Sequence, residues 1–188
     1  MKGAAALKQE RIYTLKDIDA LPEQVRAELI DGQIYYMSSP TRKHQDIAGD
    51  LFLFIRTHIL NNKGNCKAYI APFAVFLNND DKNYVEPDIS VICDRSKLSD
   101  KGCHGAPDWI IEVVSPGSHR MDYVKKLFKY RSSGVKEYWI VDSEKETITV
   151  WEFNGEENDD MHEYTFTDKV PCSILDDFII DFTELDLS

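Results

Sequence analysis

Cysteine is scarce in this sequence, and its four cysteines form no recognisable metal-binding pattern. Cys66, Cys93, Cys103 and Cys172 lie far apart, with no CxxC pair and no ladder of Cys and His ligands. This spacing argues against a zinc ribbon. Cys66 and Cys93 fall within apolar, strand-like segments, so we expect them to be buried thiols.

Long apolar runs are also missing. Residues 1–11 have no apolar core of the kind that a signal peptide needs, and no stretch is long enough to span a bilayer. We therefore expect a cytoplasmic protein in a reducing environment, with residues 1–11 disordered.

Positive charge is in short supply, because 22 Lys and Arg residues face 33 Asp and Glu residues, for a formal net charge of −11. Such acidity argues against a broad polyanion-binding surface, although it leaves room for a small basic patch. Lys169 is the only Lys or Arg in residues 152–188, whereas residues 119–136 hold a cluster of bases. The simplest interpretation of both runs is a solvated face, but the basic run directly follows a chemically unusual strand.

The length of 188 residues and an apolar content of 43% predict one domain over residues 1–188 with a substantial core. Asp31-Gly32 between two apolar runs predicts a β-hairpin. Apolar residues at helical spacing predict a long helix from about 41 to 62, and Gly134 is a typical helix stop. The other predicted helices are 13–20, 22–27 and 120–133, and the predicted strands are 66–77, 88–93, 108–114, 136–142, 147–153, 163–167 and 174–180.

The segment 108–142 reads strand, helix, strand, and both strands are almost continuously apolar. This pattern favours a parallel crossover in the middle of a sheet. The β-rich first half of the chain favours antiparallel strands beside it. We therefore predict an α/β fold in which helices flank a mixed β-sheet, with an added N-terminal β-hairpin.

Carboxylates occur where a buried sheet should have none. Glu112 interrupts the apolar strand 108–114, and Asp88 lies at the mouth of the strand 88–93. A carboxylate inside an apolar strand costs several kcal/mol unless it is paired or binds a cation. Glu28 and Lys126 are two further candidates. The three carboxylates are hard oxygen ligands of the kind that Mg²⁺ or Mn²⁺ binds, and the Lys126 ammonium could contact a phosphate.

These residues resemble the PD-(D/E)XK nuclease superfamily, although Val114 stands where the usual motif has its lysine. The lysine can instead come from the following helix, and in this respect the chain is similar to the Uma-type family of restriction endonucleases. The segments that carry the resemblance, in order, are Glu28-Leu-Ile-Asp-Gly, His44 at the start of the long helix, Glu86-Pro-Asp-Ile, Ile111-Glu-Val-Val-Ser-Pro, Asp122-Tyr-Val-Lys-Lys and Gly134-Val-Lys-Glu-Tyr-Trp-Ile-Val-Asp.

The resemblance implies a restriction-endonuclease-like fold and a metal-dependent endodeoxyribonuclease that hydrolyses DNA with a metal-activated water. It implies Mg²⁺ or Mn²⁺ as cofactor and DNA as substrate. Because cutting both strands of a duplex favours two sites, we also expect a homodimer. The implied metal ligands are Glu28, Asp88, Glu112 and the carbonyl of Val113. Lys126 takes the catalytic role of the missing lysine.

Three further residues are implied in substrate or supporting contacts. Asp122, Lys126 and Tyr130 follow the family's Asp-x-x-x-Lys-x-x-x-Tyr helix, and their i, i+4 spacing puts them on one side. Leu127 and Phe128 can then face the core. The three residues with substrate or supporting contacts are thus Asp122, Tyr130 and His44.

Other interpretations stay open. Glu28 could be a helix-end acid before the hairpin, and Lys126 a surface lysine. The acidic composition favours an alternative in which the protein is an inactive nuclease-fold module that binds DNA or a protein. A glycosidase with paired carboxylates would need aromatic sugar platforms and would leave Lys126 without a role.

Overall fold

The computed structural model describes residues 11–78, 80–115, 118, 120–155 and 158–186. Its α-helices are α1 (Leu15–Asp19), α2 (Arg42–Asn61) and α3 (Leu127–Ser133), and a π-helical stretch (Met121–Lys126) runs directly into α3. The strands are β1 (Ala27–Ile30), β2 (Gln33–Tyr36), β3 (Lys67–Ile70), β4 (Val75–Phe76), β5 (Ile89–Ile92), β6 (Leu98–Ser99), β7 (Gly102–His104), β8 (Trp109–Val114), β9 (Glu137–Asp142), β10 (Thr147–Glu152), β11 (Asp160–Thr165), β12 (Lys169–Pro171) and β13 (Ile179–Asp181).

Six strands form the central sheet in the order β11-β10-β9-β8-β5-β3. β8 and β9 are parallel, and the other neighbouring pairs are antiparallel. The segment between β8 and β9 is the predicted crossover, and Gly134 ends its helix with φ 92°. The predicted α/β fold with a mixed sheet is confirmed.

The N-terminal hairpin forms at the predicted turn. Asp31 and Gly32 have φ values of 50° and 74°, as a two-residue type I′ turn requires. β1 and β2 pair through residues 27–30 and 33–36. The predicted helix at 22–27 is wrong, because residues 22–26 form turns and extended chain and Ala27 already pairs with Tyr36.

The long helix is confirmed, with Thr41 as its N-cap accepting a hydrogen bond from the backbone N–H of His44. Its buried stripe of Ile47, Leu51, Ile55 and Ile59 packs on one face of the central sheet. Odd-numbered residues of β8 face this helix, and the even-numbered Ile110 and Val114 pack in the other apolar layer, which includes Tyr130 and Tyr138. This alternation decides which face carries Glu112.

Some predicted strand limits are wrong. The run 66–77 is two short strands, because the chain turns at Ala71-Pro72 and Pro72 has no N–H to extend the ladder. In the C-terminal region, residues 174–178 form turns, and β12 pairs with β13 instead. The 94–105 loop contains β6 and β7.

Cys66 and Cys93 form a disulfide, so the expectation of two free thiols is wrong. The antiparallel register pairs Lys67 with Ile92, which places the two cysteines opposite each other at the ends of β3 and β5. Cys103 and Cys172 are buried free cysteines.

The expectation of disorder for residues 1–11 falls mostly on residues 1–10, which lie outside the described part of the chain. Arg11 is described, and its guanidinium pairs with Asp17 at 2.8 Å. Within the described ranges, no helix combines the length and the apolar character needed to cross a membrane.

Candidate active site

Glu112 is a buried carboxylate in the middle of the central sheet. The period of two along β8 places it between Ile110 and Val114, on the face that the Met121–Ser133 helical segment covers. Only 4% of Glu112 is exposed to solvent. The interruption that the sequence indicates is therefore a carboxylate placed in the apolar layer, where it needs partners.

Lys126 supplies the main partner. Its Nζ atom lies 2.8 Å from Oε1 of Glu112, and 3.0 and 2.9 Å from Oε1 and Oε2 of Glu28. Oδ1 of Asp122, one helical turn earlier, is 3.7 Å away. The ammonium thus lies where three carboxylates converge, and its side chain is 5% exposed.

Tyr130 also binds Glu112, because its hydroxyl donates a hydrogen bond of 2.6 Å to Oε1. The Tyr130 ring packs edge-on against Tyr138, whose hydroxyl donates to the backbone carbonyl of Asp122. Asp122, Lys126 and Tyr130 are all buried on one side of the helical segment. These contacts fix the end of the helix over the Glu112 carboxylate.

Phe128 does not face the core as expected. It is 67% exposed, whereas Leu127 packs at the edge of the apolar layer. The reason is angular, since Phe128 lies two residues after Lys126, about 200° around the helix from the buried side.

Glu28 lies in a strand, so its interpretation as a helix-end acid is wrong. It faces Tyr35 across the hairpin and is 3% exposed. Besides Lys126, its Oε1 accepts a hydrogen bond of 3.0 Å from the backbone N–H of Glu86. The hairpin therefore brings this carboxylate to the same ammonium that binds Glu112.

Asp88 comes just before β5, and the β5–β8 register, which pairs Ile89 with Ile111, places it opposite Glu112 when continued by one residue. Its Oδ2 accepts a hydrogen bond of 2.8 Å from the backbone N–H of Val113 and lies 3.1 Å from Nε2 of His44. Like charges directly across a sheet destabilise it unless a cation offsets them.

The backbone carbonyl of Val113 points to the same edge. Residues of an antiparallel pair direct N–H and C=O to the same side, and the Val113 N–H points to Asp88. The continued register places Pro87 opposite, and proline has no N–H to donate to this carbonyl. Pro87 therefore gives this carbonyl no ladder hydrogen bond from the β5 side.

The ionisation of the cluster reflects burial and crowding. Burial, and then the charges of Asp88, Asp122 and Glu28, raise the pKa of Glu112 well above its usual range, against the opposing effect of Lys126. Burial alone would lower the pKa of Lys126, but the carboxylates of Glu112, Glu28 and Asp122 outweigh it and raise this pKa. Three carboxylates converge on the ammonium, and Asp88 lies opposite the nearest of them, so four acids share this part of the site with Lys126.

A cleft of about 630 Å³ opens onto this cluster. The hairpin and the chain that follows it, residues 34–41, form one wall, and the first turns of α2 form another. Asp88, Glu112, Asp122 and Lys126 line the same cleft.

A divalent ion is compatible with two of the acids. Within the described ranges, no three His, Cys, Asp or Glu side chains form a group that could hold a metal ion. Asp88 and Glu112 nevertheless each use one carboxylate oxygen in the contacts above. Mg²⁺ is commonly held by one or two carboxylates and several waters, so the donor chemistry fits such a site.

The mixed α/β fold is nuclease-like. The model of the Uma2 family, described as "Putative restriction endonuclease", matches residues 14–183. The chain therefore belongs to this family.

Two known proteins are similar to the chain. A crystal structure of a protein from Anabaena variabilis, described as a putative nuclease belonging to DUF820, superposes with a TM-score of 0.73 at 23% identity, over 92% of this chain and 96% of that one. An uncharacterized protein of Synechocystis, slr1290, is 26% identical over 135 residues, which are 71% of this chain and 70% of the relative.

The structure adds neighbours that the sequence did not single out. Glu86 accepts two hydrogen bonds from the guanidinium of Arg26 and one from the hydroxyl of Tyr84. Arg26 is two residues before Glu28, so the alternation of a strand could have indicated that both side chains face the cleft.

Proposed function

We propose that this protein is a divalent-metal-dependent endonuclease that hydrolyses phosphodiester bonds of DNA. The observation that carries the proposal is the buried ammonium of Lys126 between Glu112 and Glu28, at a cleft that Asp88 also lines. DNA as the substrate class comes from the family, whose description is that of restriction endonucleases.

Asp88 and Glu112 would hold the ion through their remaining carboxylate oxygens, together with the carbonyl of Val113. Glu28 would lie beside the ion as a third acid, and its two carboxylate oxygens hold the Lys126 ammonium in place. When bound, a divalent ion polarises a phosphoryl oxygen and lowers the pKa of water.

The residues of the chain then have separate tasks. Lys126 orients the attacking water and offsets the negative charge that develops on the phosphoryl oxygens. The water oxygen bonds to phosphorus and gives up a proton to solvent, the bond from phosphorus to the 3′-oxygen breaks, and solvent water supplies a proton to that leaving oxygen. Tyr130 and Asp122 fix the Glu112 carboxylate and the Lys126 ammonium, and His44 fixes Asp88.

One observation favours the alternative, an inactive module that binds DNA or a protein. Lys126 occupies the point where Glu28, Glu112 and Asp122 converge, so it satisfies part of the carboxylate charge that a metal would otherwise neutralise. Such a module would keep the fold without turning over a substrate.

Metal binding and cleavage together test the proposal. Calorimetric titration with Mn²⁺ should give binding to the wild type that Glu112→Ala abolishes, while the exposed control Glu163→Ala binds normally. Plasmid nicking should be lost in Glu112→Ala and in Lys126→Ala. Glu112→Gln, which keeps the side-chain volume, replaces Glu112→Ala if that variant does not fold.

Binding of Mn²⁺ without cleavage of any nucleic acid by the wild type would support the inactive module. Nicking that survives in both Glu112→Ala and Lys126→Ala would contradict the proposed site.

We also propose a single-domain cytoplasmic protein that acts as a homodimer, since cutting both strands of a duplex favours two sites. Light scattering of the purified protein measures the assembly. The Cys66–Cys93 disulfide argues against the cytoplasmic location, because disulfides are rare in reducing cytosol.

A further inference from the structure

Arg26 lies at the cleft and has a guanidinium that is only partly used. Its side chain is 39% exposed. Nε and Nη2 donate to the same oxygen of Glu86, at 2.9 and 2.5 Å. No described residue accepts a hydrogen bond from Nη1, so one edge of the guanidinium is available to a ligand.

The strand places this edge beside the acidic cluster. Arg26 directly precedes β1 and is two residues before Glu28, which is about 7 Å along extended chain, and both residues line the cleft. Glu86 also links them, because its carboxylate binds Arg26 and its backbone N–H binds Glu28. Tyr84 fixes the other oxygen of Glu86 at 2.5 Å.

Among the described residues that line the cleft, Arg26 and Lys126 are the only Lys or Arg. Lys126 already binds Glu28 and Glu112 and is buried. An anionic substrate approaching four carboxylates therefore meets Arg26 as the accessible cation of the lining. The planar guanidinium suits the oxygens of a phosphate better than a point charge does.

We propose that Arg26 binds a backbone phosphate of the nucleic-acid strand in the cleft, next to the phosphate at Glu112. This assignment rests on the proposed nuclease function and adds a substrate-binding residue to it. Glu86 and Tyr84 hold the guanidinium in place, and the free Nη1 edge meets the phosphate.

The test measures binding apart from cleavage. The probe is a short fluorescein-labelled DNA duplex, with Ca²⁺ as the divalent ion, and its fluorescence anisotropy is followed over a series of salt concentrations. The variants are Arg26→Gln and Arg26→Lys. Arg56→Gln is the matched control, because Arg56 lies about 18 Å along α2 from His44 and does not line the cleft.

Arg26→Gln should weaken binding about tenfold to a hundredfold, as expected for a lost charge-assisted hydrogen bond. The slope of log affinity against log salt should fall by about one, since one phosphate contact is lost. Arg26→Lys should bind with intermediate affinity and the wild-type slope, and Arg56→Gln should match the wild type. If Arg26→Gln does not fold, as judged by circular dichroism, Arg26→Lys carries the test.

Two outcomes would contradict the phosphate-binding role of Arg26. If the wild type still cleaves DNA, neither outcome contradicts the nuclease proposal. One is unchanged affinity and slope in Arg26→Gln. The other is weaker binding with an unchanged slope, which would mean that Arg26 acts only by holding Glu86. A wild type that binds no DNA at any salt concentration would overturn both proposals.

Discussion

The Nζ atom of Lys126 lies 2.8 Å from Oε1 of Glu112, so the helical segment after β8 is bonded back onto the strand that precedes it. Both side chains are almost completely buried. An ion pair in such a position is strongly destabilising when only one partner is removed, because the other charge stays in the interior. This relationship therefore has consequences for stability as well as for chemistry.

Lys126→Ala should lower the free energy of unfolding by about 3–5 kcal/mol, because Glu28 and Glu112 lose the ammonium that compensates them. Urea denaturation measures the change. Lys101→Ala, at an exposed position, is the control and should stay within about 0.5 kcal/mol of the wild type. Equal stability of the two variants would mean that Lys126 is not the buried partner of these acids.

Tyr130→Phe removes the hydroxyl that donates to Glu112 at 2.6 Å. We expect a loss of about 1.5–3 kcal/mol in unfolding free energy, the range for a hydrogen bond to a charged group. We also expect slower plasmid nicking. Tyr164→Phe is a matched control on a half-buried ring of β11 that does not line the cleft, and it should leave both readouts unchanged. Wild-type stability in Tyr130→Phe contradicts this prediction.

Asp108 should stabilise the fold at neutral pH. Burial raises the pKa of Asp108, but hydrogen bonds from Lys136 and the Cys93 N–H, and then the charges of Lys136 and Lys97, outweigh it and lower the pKa below its usual value. A carboxyl whose pKa is lower in the folded state stabilises the protein above its unfolded pKa, about 4, and loses this effect as the pH falls through the folded pKa.

Asp108→Asn should therefore be less stable than the wild type at pH 7, and the difference should shrink as the pH falls below about 4. Urea denaturation over a pH series measures it, with Asp100→Asn at an exposed position as the control. A difference that is constant with pH would contradict the assigned partners of Asp108.

Because Cys66 and Cys93 form a disulfide, only two of the four cysteines should have free thiols. Denatured, unreduced protein should react with a thiol reagent at Cys103 and Cys172 alone. Reduction should lower the unfolding free energy by about 3.5 kcal/mol, as expected for a bridge that closes a loop of this size. Cys103→Ser serves as a control that leaves the bridge intact. Four reactive thiols in the purified protein would contradict the bridge.

The sequence predicted the parts of the site that have local signatures. Glu112 stands out because a carboxylate breaks an apolar run, and the hairpin stands out because Asp31-Gly32 suits its turn. Lys126 was indicated by its helical spacing to Asp122 and Tyr130 together with the family resemblance. Each of these signals lies within a few residues of the position it identifies.

The parts that the sequence missed depend on which strands become neighbours. The Arg26–Glu86 pair joins residues 60 positions apart, and nothing local in either segment indicates the other. The Cys66–Cys93 bridge depends on the β3–β5 register, which becomes visible only once the order of the strands is known. Phe128 was misplaced because an apolar side chain was assumed to be internal, although its angle on the helix points outward.

The ammonium of Lys126 connects parts of the chain that are far apart in sequence, since its two nearest carboxylates are 98 and 14 residues away. No fragment that lacks either the hairpin or the crossover helix can assemble the full set of charges. Loss of catalytic competence on heating should therefore coincide with cooperative melting of the whole chain, and proteolytic pieces should be inert.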